Sequence, residues 1–177
     1  MGQHEIVISG FGGQGILSAG RLLAYAGMLE NKNVSWLPSY GPEMRGGTAN
    51  CHVVISDEQI GSPILNSATA LIAMNSPSLE KFENMVVEGG VIITDSSLAE
   101  RSPTRKDVRV SEIPATNMAL EMGNGSYAVI ILLGKLIGMT GAVSEESFEM
   151  ALKKVLPYKY HHMIPEEMEA LKKGMNY

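Results

Sequence analysis

The sequence contains little cysteine and little charge. Cys51 is the single cysteine among 177 residues. This excludes an internal disulfide framework and any iron–sulfur cluster or cysteine-rich zinc site held by this chain alone. Charged residues make up 19% of the chain and the formal net charge is -5, so there is no basic field of the kind that binds nucleic acid. We expect Cys51 to be a small buried strand residue and expect no nucleic-acid partner.

Long apolar runs are also absent. The run from Tyr127 to Leu133 falls well short of the ~20 apolar residues that a membrane span needs. The N-terminal residues do not combine a basic segment with an apolar stretch, which is the pattern of a signal peptide. We therefore expect no membrane partner and a cytoplasmic location.

The remaining composition is typical of a globular protein. An apolar content of 45% over 177 residues predicts one domain with its own core, spanning residues 1–177. The chain also contains 12 methionines. Methionine fills irregular contacts in cores and in interfaces alike, and both uses remain open here.

Short apolar runs alternate with helical patterns along the chain. Strand patterns occupy residues 5–9, 33–37, 49–56, 70–74, 90–95 and 108–113, and helical patterns occupy 16–27, 115–122, 127–137, 144–155 and 165–174. A short helix between two of the strands is predicted to have Ser76 as its cap and Pro77 as its first residue. Ser144 is predicted to cap the helix at residues 144–155. Alternating strands and helices predict an α/β fold: a single three-layer α/β/α domain with a mostly parallel sheet.

A glycine-rich turn follows the first strand. Gly10, Gly12 and Gly15 satisfy the G-x-G-x-x-G spacing between a strand and a helix, which is typical of dinucleotide binding. The acid that would hold the ribose at the end of the second strand is missing. Three interpretations stay open: dinucleotide binding, a turn for close packing, and a turn that lines a composite site. The candidate cofactor-binding residues are Gly10, Gly12, Gly13, Gln14 and Gly15.

A second glycine-rich segment follows the second strand. Segments that leave the carboxyl ends of parallel strands form the binding crevice of such sheets. Arg45 could hold a carboxylate or phosphate through its planar guanidinium; a salt bridge within the segment or at an interface is equally open. The candidate active-site or interface residues are Tyr40, Gly41, Pro42, Glu43, Met44, Arg45, Gly46 and Gly47.

No catalytic constellation can be assigned beyond these segments. The four histidines, His4, His52, His161 and His162, lack the helical spacing of metal ligands, so no metal site is predicted. The sequence has no Gly-x-Ser-x-Gly elbow, no Walker motif and no Gly-Asp-Gly segment of the thiamine-binding kind. We expect no cofactor to be bound by this chain alone.

The two glycine-rich segments together resemble the gamma subunit of 2-oxoacid:ferredoxin oxidoreductases. The residues that carry the resemblance are Gly10-Phe11-Gly12-Gly13-Gln14-Gly15 and the run from Gly41 to Cys51. It continues through Ser62-Pro63, Met74-Asn75, Ser78 to Phe82, Ser96-Ser97-Leu98, Pro114-Ala115-Thr116 and Ile164 to Gly174, and so covers nearly the whole chain.

The resemblance implies a reaction and a set of partners. Such enzymes cleave a 2-oxoacid with thiamine diphosphate, transfer the acyl group to coenzyme A, release CO2 and reduce ferredoxin. It further implies that alpha and beta subunits hold thiamine diphosphate and Mg2+. The iron–sulfur clusters would then lie in beta or in a small delta subunit. Ferredoxin would be reached through the complex, and coenzyme A would be the co-substrate.

The segment from Glu43 to Cys51 is most similar to the 2-oxoglutarate type, with the branched-chain type close behind. The pyruvate and branched-chain enzymes are therefore the alternatives to a 2-oxoglutarate enzyme. A free-standing Rossmann-like nucleotide-binding enzyme is a further alternative from another class. One departure from the family pattern is Pro165-Glu166-Glu167, where relatives more often have an Asn-containing turn.

Overall fold

The computed structural model describes residues 2–40 and 48–177. In these ranges the chain forms one six-stranded sheet. The strands are β1 (Gln3–Phe11), β2 (Asn33–Tyr40), β3 (Thr48–Ser56), β4 (Ala68–Ala73), β5 (Val86–Asp95) and β6 (Arg109–Ile113). The helices are α1 (Ile16–Leu29), α2 (Ser76–Phe82), α3 (Ala115–Glu121), α4 (Ala128–Thr140), α5 (Glu145–Val155) and α6 (Ile164–Met175).

The strand order is β2-β3-β1-β4-β5-β6. The pairs β1–β4, β4–β5 and β5–β6 are parallel, whereas β3 runs antiparallel to both of its neighbours. Since β2 and β1 both oppose β3, they point the same way, and β3 is the one strand of the six that is reversed. The predicted α/β class with a mostly parallel sheet is confirmed.

Helices cover the two faces of the sheet unequally. Side chains alternate along each strand: Ile6 and Ile8 join the core beneath α1 and α4, and Val7, between them, joins the core on the opposite face. That opposite core is closed by α2, through Leu79 and Phe82, together with Leu65 from the β3–β4 connection. Helices α5 and α6 pack mainly against α1 and α4, so they form an outer layer on the first face.

The helix starts test two cap predictions. Ser144 caps α5 by accepting a hydrogen bond from the Ser147 amide at 3.1 Å, as predicted. The prediction for α2 is wrong by one residue: Asn75 is the cap, and its Oδ1 accepts from the Ser78 amide at 2.9 Å. Ser76 is the first helical residue. Asparagine and serine are both strong caps, and Pro77 fits either of the first two helical positions.

Cys51 lies under α1 and is fully buried. Its thiol is 3.5 Å from the carbonyl oxygen of Ile16, to which it can donate. Burial raises the pKa of the Cys51 thiol to about 12, so the thiolate that could act as a nucleophile or metal ligand is suppressed. The prediction of a buried strand cysteine is confirmed.

Helices α4 and α6 run side by side in the same direction with their backbones in contact. A Cβ on Gly134 of α4 would lie 2.0 Å from the carbonyl oxygen of Leu171, and a Cβ on Gly174 of α6 would lie 1.8 Å from that of Ile131. Both positions therefore require the absence of a side chain. Within the described residues, no helix is long and apolar enough to cross a lipid bilayer.

We predict that Gly134→Ala destabilises the fold strongly. The added methyl group would meet a backbone oxygen that cannot move aside as a side chain can, so the loss should reach about 3 kcal/mol, at the upper end of the range for overpacking. Thermal and denaturant unfolding of the purified chain measure it.

Gly138→Ala is the matched control, one turn further along the same face of α4. Its Cβ would lie 3.3 Å from the carbonyl oxygen of Met175, which is a close but tolerable contact. Alanine also has a helix propensity ~1 kcal/mol more favourable than that of glycine, and this gain offsets the cost of the close contact. Equal stability of the two variants would contradict the close backbone contact of α4 and α6.

Candidate functional site

The candidate site lies at the carboxyl edge of the sheet. β1, β2, β4, β5 and β6 all end at this edge because they point the same way. From β1 the chain passes through α1 to β2, on one side of β1 in the sheet. From β4 it passes through α2 to β5, on the other side of β1. The two helices cover opposite faces. The chain thus reverses its winding between β1 and β4, and open α/β sheets bind ligands in the crevice at such a point.

The glycine turn follows β1 directly and so lies at this edge of the sheet. Gln14 closes the turn, because its Oε1 accepts a hydrogen bond of 2.6 Å from the Phe11 amide. A Cβ on Gly10 would lie 2.5 Å from that same Oε1 and 2.9 Å from Cδ1 of Ile16. A side chain at Gly10 would therefore displace Gln14 and Ile16, and the Oε1 of Gln14 is engaged inside the turn.

The turn delivers the chain into α1. Gly13 and Gly15 have φ values of +87° and +79°, a backbone conformation that favours glycine. Gly15 precedes the helix without a side-chain cap, and the first turn of α1 contains no acidic residue. The amides at the start of α1 therefore carry the positive end of the helix dipole, which favours anions.

The second predicted segment starts and ends beside the glycine turn. β2 ends at Tyr40 and β3 begins at Thr48, which pairs with Phe11. The sheet thus brings the flanks of the two segments to one edge. The predicted site residues Gly41, Pro42, Glu43, Met44, Arg45, Gly46 and Gly47 lie outside the described residues, and so does the side chain of Tyr40.

Buried polar groups line the edge between β1 and β4, and the prediction of site residues omitted them. Ser9, at the end of β1, places its hydroxyl 2.8 Å from that of Ser78 in α2. Both serines are buried. Asn75 follows β4 and is 2% exposed; its Oδ1 caps α2, and its Nδ2 has no hydrogen-bond partner among the described residues. Serine and asparagine at a strand end were the available signal, but they are equally common in turns.

Asp95 has a structural role at the end of β5. This fully buried carboxylate accepts hydrogen bonds from the amides of Ser97 and Thr116 and, at 2.5 Å, from the Thr116 hydroxyl. It therefore ties the start of α3 to the carboxyl edge. Its oxygens are used within the chain.

The histidines do not form a site. Nδ1 of His52 accepts from the Leu65 amide at 3.4 Å, and burial lowers the pKa of the His52 ring. The ring nitrogens of His161 and His162 contact the carbonyl oxygens of Leu156 and Lys159 at 2.9 Å. Among residues 2–40 and 48–177, no group of three or more His, Cys, Asp or Glu could hold a metal ion.

Residues 5–177 match the family model described as pyruvate ferredoxin/flavodoxin oxidoreductase. The chain belongs to this family. The predicted resemblance is confirmed over nearly its whole length.

Two relatives locate the chain within the family. Ketoisovalerate oxidoreductase subunit VorA of Methanothermobacter marburgensis is 44% identical over 151 residues, which are 84% of this chain and 31% of VorA. This chain therefore spans about a third of that relative's length. 2-Oxoglutarate synthase subunit KorC of Methanocaldococcus jannaschii is 39% identical over 158 residues, covering 88% of this chain and 84% of KorC.

Solved structures agree. The gamma subunit of the keto/oxoacid ferredoxin oxidoreductase from Geobacter sulfurreducens PCA superposes with a TM-score of 0.82 at 30% identity, covering 98% of this chain and 96% of that one. The 2-oxoglutarate:ferredoxin oxidoreductase from Magnetococcus marinus, solved with 2-oxoglutarate, coenzyme A and succinyl-CoA bound, gives a TM-score of 0.89 at 23% identity. It covers 99% of this chain and 31% of that one, and at this identity it shows the fold alone. The predicted gamma-type chain is confirmed.

In this gamma-type chain, a second cluster lies where α4 and α6 begin. The hydroxyl of Tyr127 donates to Oε2 of Glu166 at 2.6 Å. The neighbouring Glu167 is half-buried, and its Oε2 has no hydrogen-bond partner among the described residues. Burial, with the nearby charge of Glu166, raises the pKa of Glu167 to about 7. This is the Pro165-Glu166-Glu167 stretch in which the sequence departs from the family pattern.

We predict that Glu167→Gln makes the chain more stable at pH 8 than the wild type but not at pH 4.5. The folded protein holds the Glu167 proton up to a pKa of about 7, against 4.5 when exposed. The stability that the neutral carboxyl contributes is therefore lost as the pH rises through this window. Since one pKa unit corresponds to ~1.4 kcal/mol, this difference of about 2.5 units limits the gain at pH 8 to at most about 3.5 kcal/mol.

Denaturant unfolding at the two pH values measures this difference. Glu169→Gln, at an exposed position on the same helix, controls for the loss of one negative charge from α6. If the free energy of unfolding changes with pH by the same amount in Glu167→Gln and in the wild type, the Glu167 carboxyl is solvated in the folded chain.

Proposed function

We propose that this chain is the gamma-type subunit of a thiamine-dependent 2-oxoacid:ferredoxin oxidoreductase located in the cytoplasm, and that residues 1–177 act as one domain within that complex. The observation that carries the proposal is the family match over residues 5–177. The reaction joins a 2-oxoacid, coenzyme A and oxidised ferredoxin to give an acyl-CoA, CO2 and reduced ferredoxin.

The partners follow from the same proposal. Alpha and beta subunits hold thiamine diphosphate and Mg2+, and beta or a small delta subunit holds the iron–sulfur clusters. This chain contributes the carboxyl edge of its sheet. Two features of that edge suit an anionic co-substrate such as coenzyme A: the crevice between β1 and β4, and the uncapped start of α1 behind Gly13 and Gly15.

Two 2-oxoacids compete as the substrate. The segment from Glu43 to Cys51 favours 2-oxoglutarate, and KorC, a 2-oxoglutarate synthase subunit, matches over 84% of its own length. VorA, a ketoisovalerate oxidoreductase subunit, has the higher identity of the two relatives, at 44%. We propose 2-oxoglutarate as the substrate, with the branched-chain 2-oxoacid as the second candidate.

We predict that the purified chain alone does not reduce ferredoxin with any 2-oxoacid and coenzyme A, whereas the complex with its co-expressed partners does. The measurement is anaerobic ferredoxin reduction with 2-oxoglutarate, ketoisovalerate and pyruvate supplied in parallel. A higher kcat/KM for 2-oxoglutarate supports the first substrate, and a higher value for ketoisovalerate supports the second. Turnover by the verified single chain would falsify the proposal.

Arg45 supplies the next prediction. Its flanking strand ends, Tyr40 and Thr48, lie at the carboxyl edge, where a guanidinium meets either a phosphate of coenzyme A or a carboxylate of a partner. Truncating one member of a buried charge pair costs ~2–5 kcal/mol. We therefore expect Arg45→Ala to leave the isolated chain folded and to weaken turnover or assembly of the complex.

Lysine at this position should restore only part of the loss, because it is a point charge without the planar fork. Arg109→Ala is the control: Arg109 begins β6 at the opposite edge of the sheet, and Nη1 contacts the carbonyl oxygen of Met139 at 3.3 Å. If Arg45→Ala lowers the melting temperature of the isolated chain while turnover and assembly of the complex are unchanged, Arg45 stabilises the fold of the chain and does not bind an external anion.

A further inference from the structure

Asn75 has a buried amide nitrogen that the fold does not use. The residue joins β4 to α2 and is 2% exposed. Its Oδ1 accepts the Ser78 amide at 2.9 Å, which fixes the orientation of the side chain. Its Nδ2 is enclosed and has no hydrogen-bond partner among the described residues.

An unpaired buried donor is costly. Nearly all buried polar side-chain atoms in folded proteins have a hydrogen-bond partner, and an exception requires an explanation. Serine or threonine would cap α2 without leaving a second polar atom unpaired. Capping therefore accounts for the oxygen of Asn75 and leaves its NH2 group unexplained.

The position of Asn75 supplies an explanation. It follows β4 directly, and the Met74 amide donates to the carbonyl oxygen of Ser9 at 2.9 Å. A Cβ on Gly10 would touch the Cβ of Met74 at 3.2 Å. Both contacts hold the end of β4 beside the end of β1, and Asn75 lies one residue further on, at the point where the winding of the sheet reverses. Thr94 and Glu167 also carry buried atoms without a partner among the described residues. Thr94 pairs with Ala73 from β5, one strand beyond the reversal between β1 and β4, and Glu167 lies in α6.

We propose that Asn75 Nδ2 donates a hydrogen bond to an acceptor oxygen of the molecule that binds between the ends of β1 and β4 in the assembled enzyme. An NH2 group has no acceptor capacity, so the ligand atom is an oxygen with a free lone pair. A phosphate oxygen of coenzyme A and a main-chain carbonyl oxygen of a partner subunit share this chemistry. The inference rests on the proposed function, because both sources belong to the oxidoreductase complex.

Two substitutions separate the donor from the cap. Asn75→Asp keeps an oxygen for the Ser78 amide and replaces the donor with an acceptor that repels an oxygen. Asn75→Ser also caps α2, but the shorter serine side chain does not place a donor at the position of the asparagine Nδ2. Ser144→Asp is the matched control, because Ser144 caps α5 through the same kind of bond at the opposite edge of the sheet. There its own amide donates to Glu30, the residue that follows α1.

The experiment uses the complete complex with wild-type or variant chain. Three quantities are measured: the KM for coenzyme A against kcat, the Kd for assembly with the partner subunits, and the melting temperature of the isolated chain. If the acceptor is a coenzyme A phosphate, both Asn75 variants raise this KM roughly 10- to 100-fold, with Kd unchanged. If it is a partner carbonyl, Kd rises roughly 3- to 10-fold with an unchanged KM.

Unchanged KM and Kd in both Asn75 variants, within a complex that turns over, would overturn this inference alone. So would a loss that tracks the melting temperature and occurs equally in Ser144→Asp, since that identifies a purely structural cap. A wild-type chain that neither assembles nor supports turnover contradicts the proposed function and this inference with it. If one variant fails to fold, the other still gives the result.

Discussion

The reversed strand β3 is the constraint on which the candidate site depends. It pairs with β1 from Gln3 to Phe11 and with β2 from Asn33 to Tyr40. Its position fills the gap that the β1–α1–β2 crossover leaves between two parallel strands. Because β3 starts at the edge where β1 and β2 end, Tyr40 and Thr48 lie at the same edge as the glycine turn. A parallel β3 would have required a long return connection.

This arrangement separates the chain from dinucleotide-binding folds that share its glycine spacing. In those folds the second strand neighbours the first and ends in an acid that holds the ribose. Here β3 stands between them, and β2 ends in Ser39-Tyr40. The glycine turn is shaped by close contacts among Gly10, Gln14 and Ile16. Of the interpretations open from the sequence, these contacts support a packing turn, and its position beside the crevice agrees with a turn that lines a composite site.

Much of the fold could be predicted from local patterns, because periodicity reports which residues are buried. The strand at residues 49–56 and the cap at Ser144 are examples. Periodicity does not report what covers a buried face. Periodicity therefore could not predict the reversed direction of β3 or the packing of α5 and α6 on other helices. The cap of α2 shows the limit at single-residue scale, since Asn75 and Ser76 have equal propensity and only the structure distinguishes them.

The candidate site was half predictable for a similar reason. The glycines were visible because their spacing is distinctive, and Gly10, Gly13 and Gly15 have the space or backbone angles that explain them. Ser9, Asn75 and Ser78 were not selected, because short polar residues at strand ends occur in most turns. Only the pairing of β1 with β4 brings them together and reveals which of their atoms lacks a partner.

The parallel course of α4 and α6 has an electrostatic consequence. α1 begins behind Gly15, whose Cβ would lie 3.4 Å from Val129 near the start of α4. The start of α6 is joined to that of α4 through Tyr127 and Glu166. The macrodipoles of α1, α4 and α6 therefore have their positive ends on the same side of the chain, whose net charge is -5. This local potential comes from the orientation of the backbone, so it persists at any pH at which the helices remain folded.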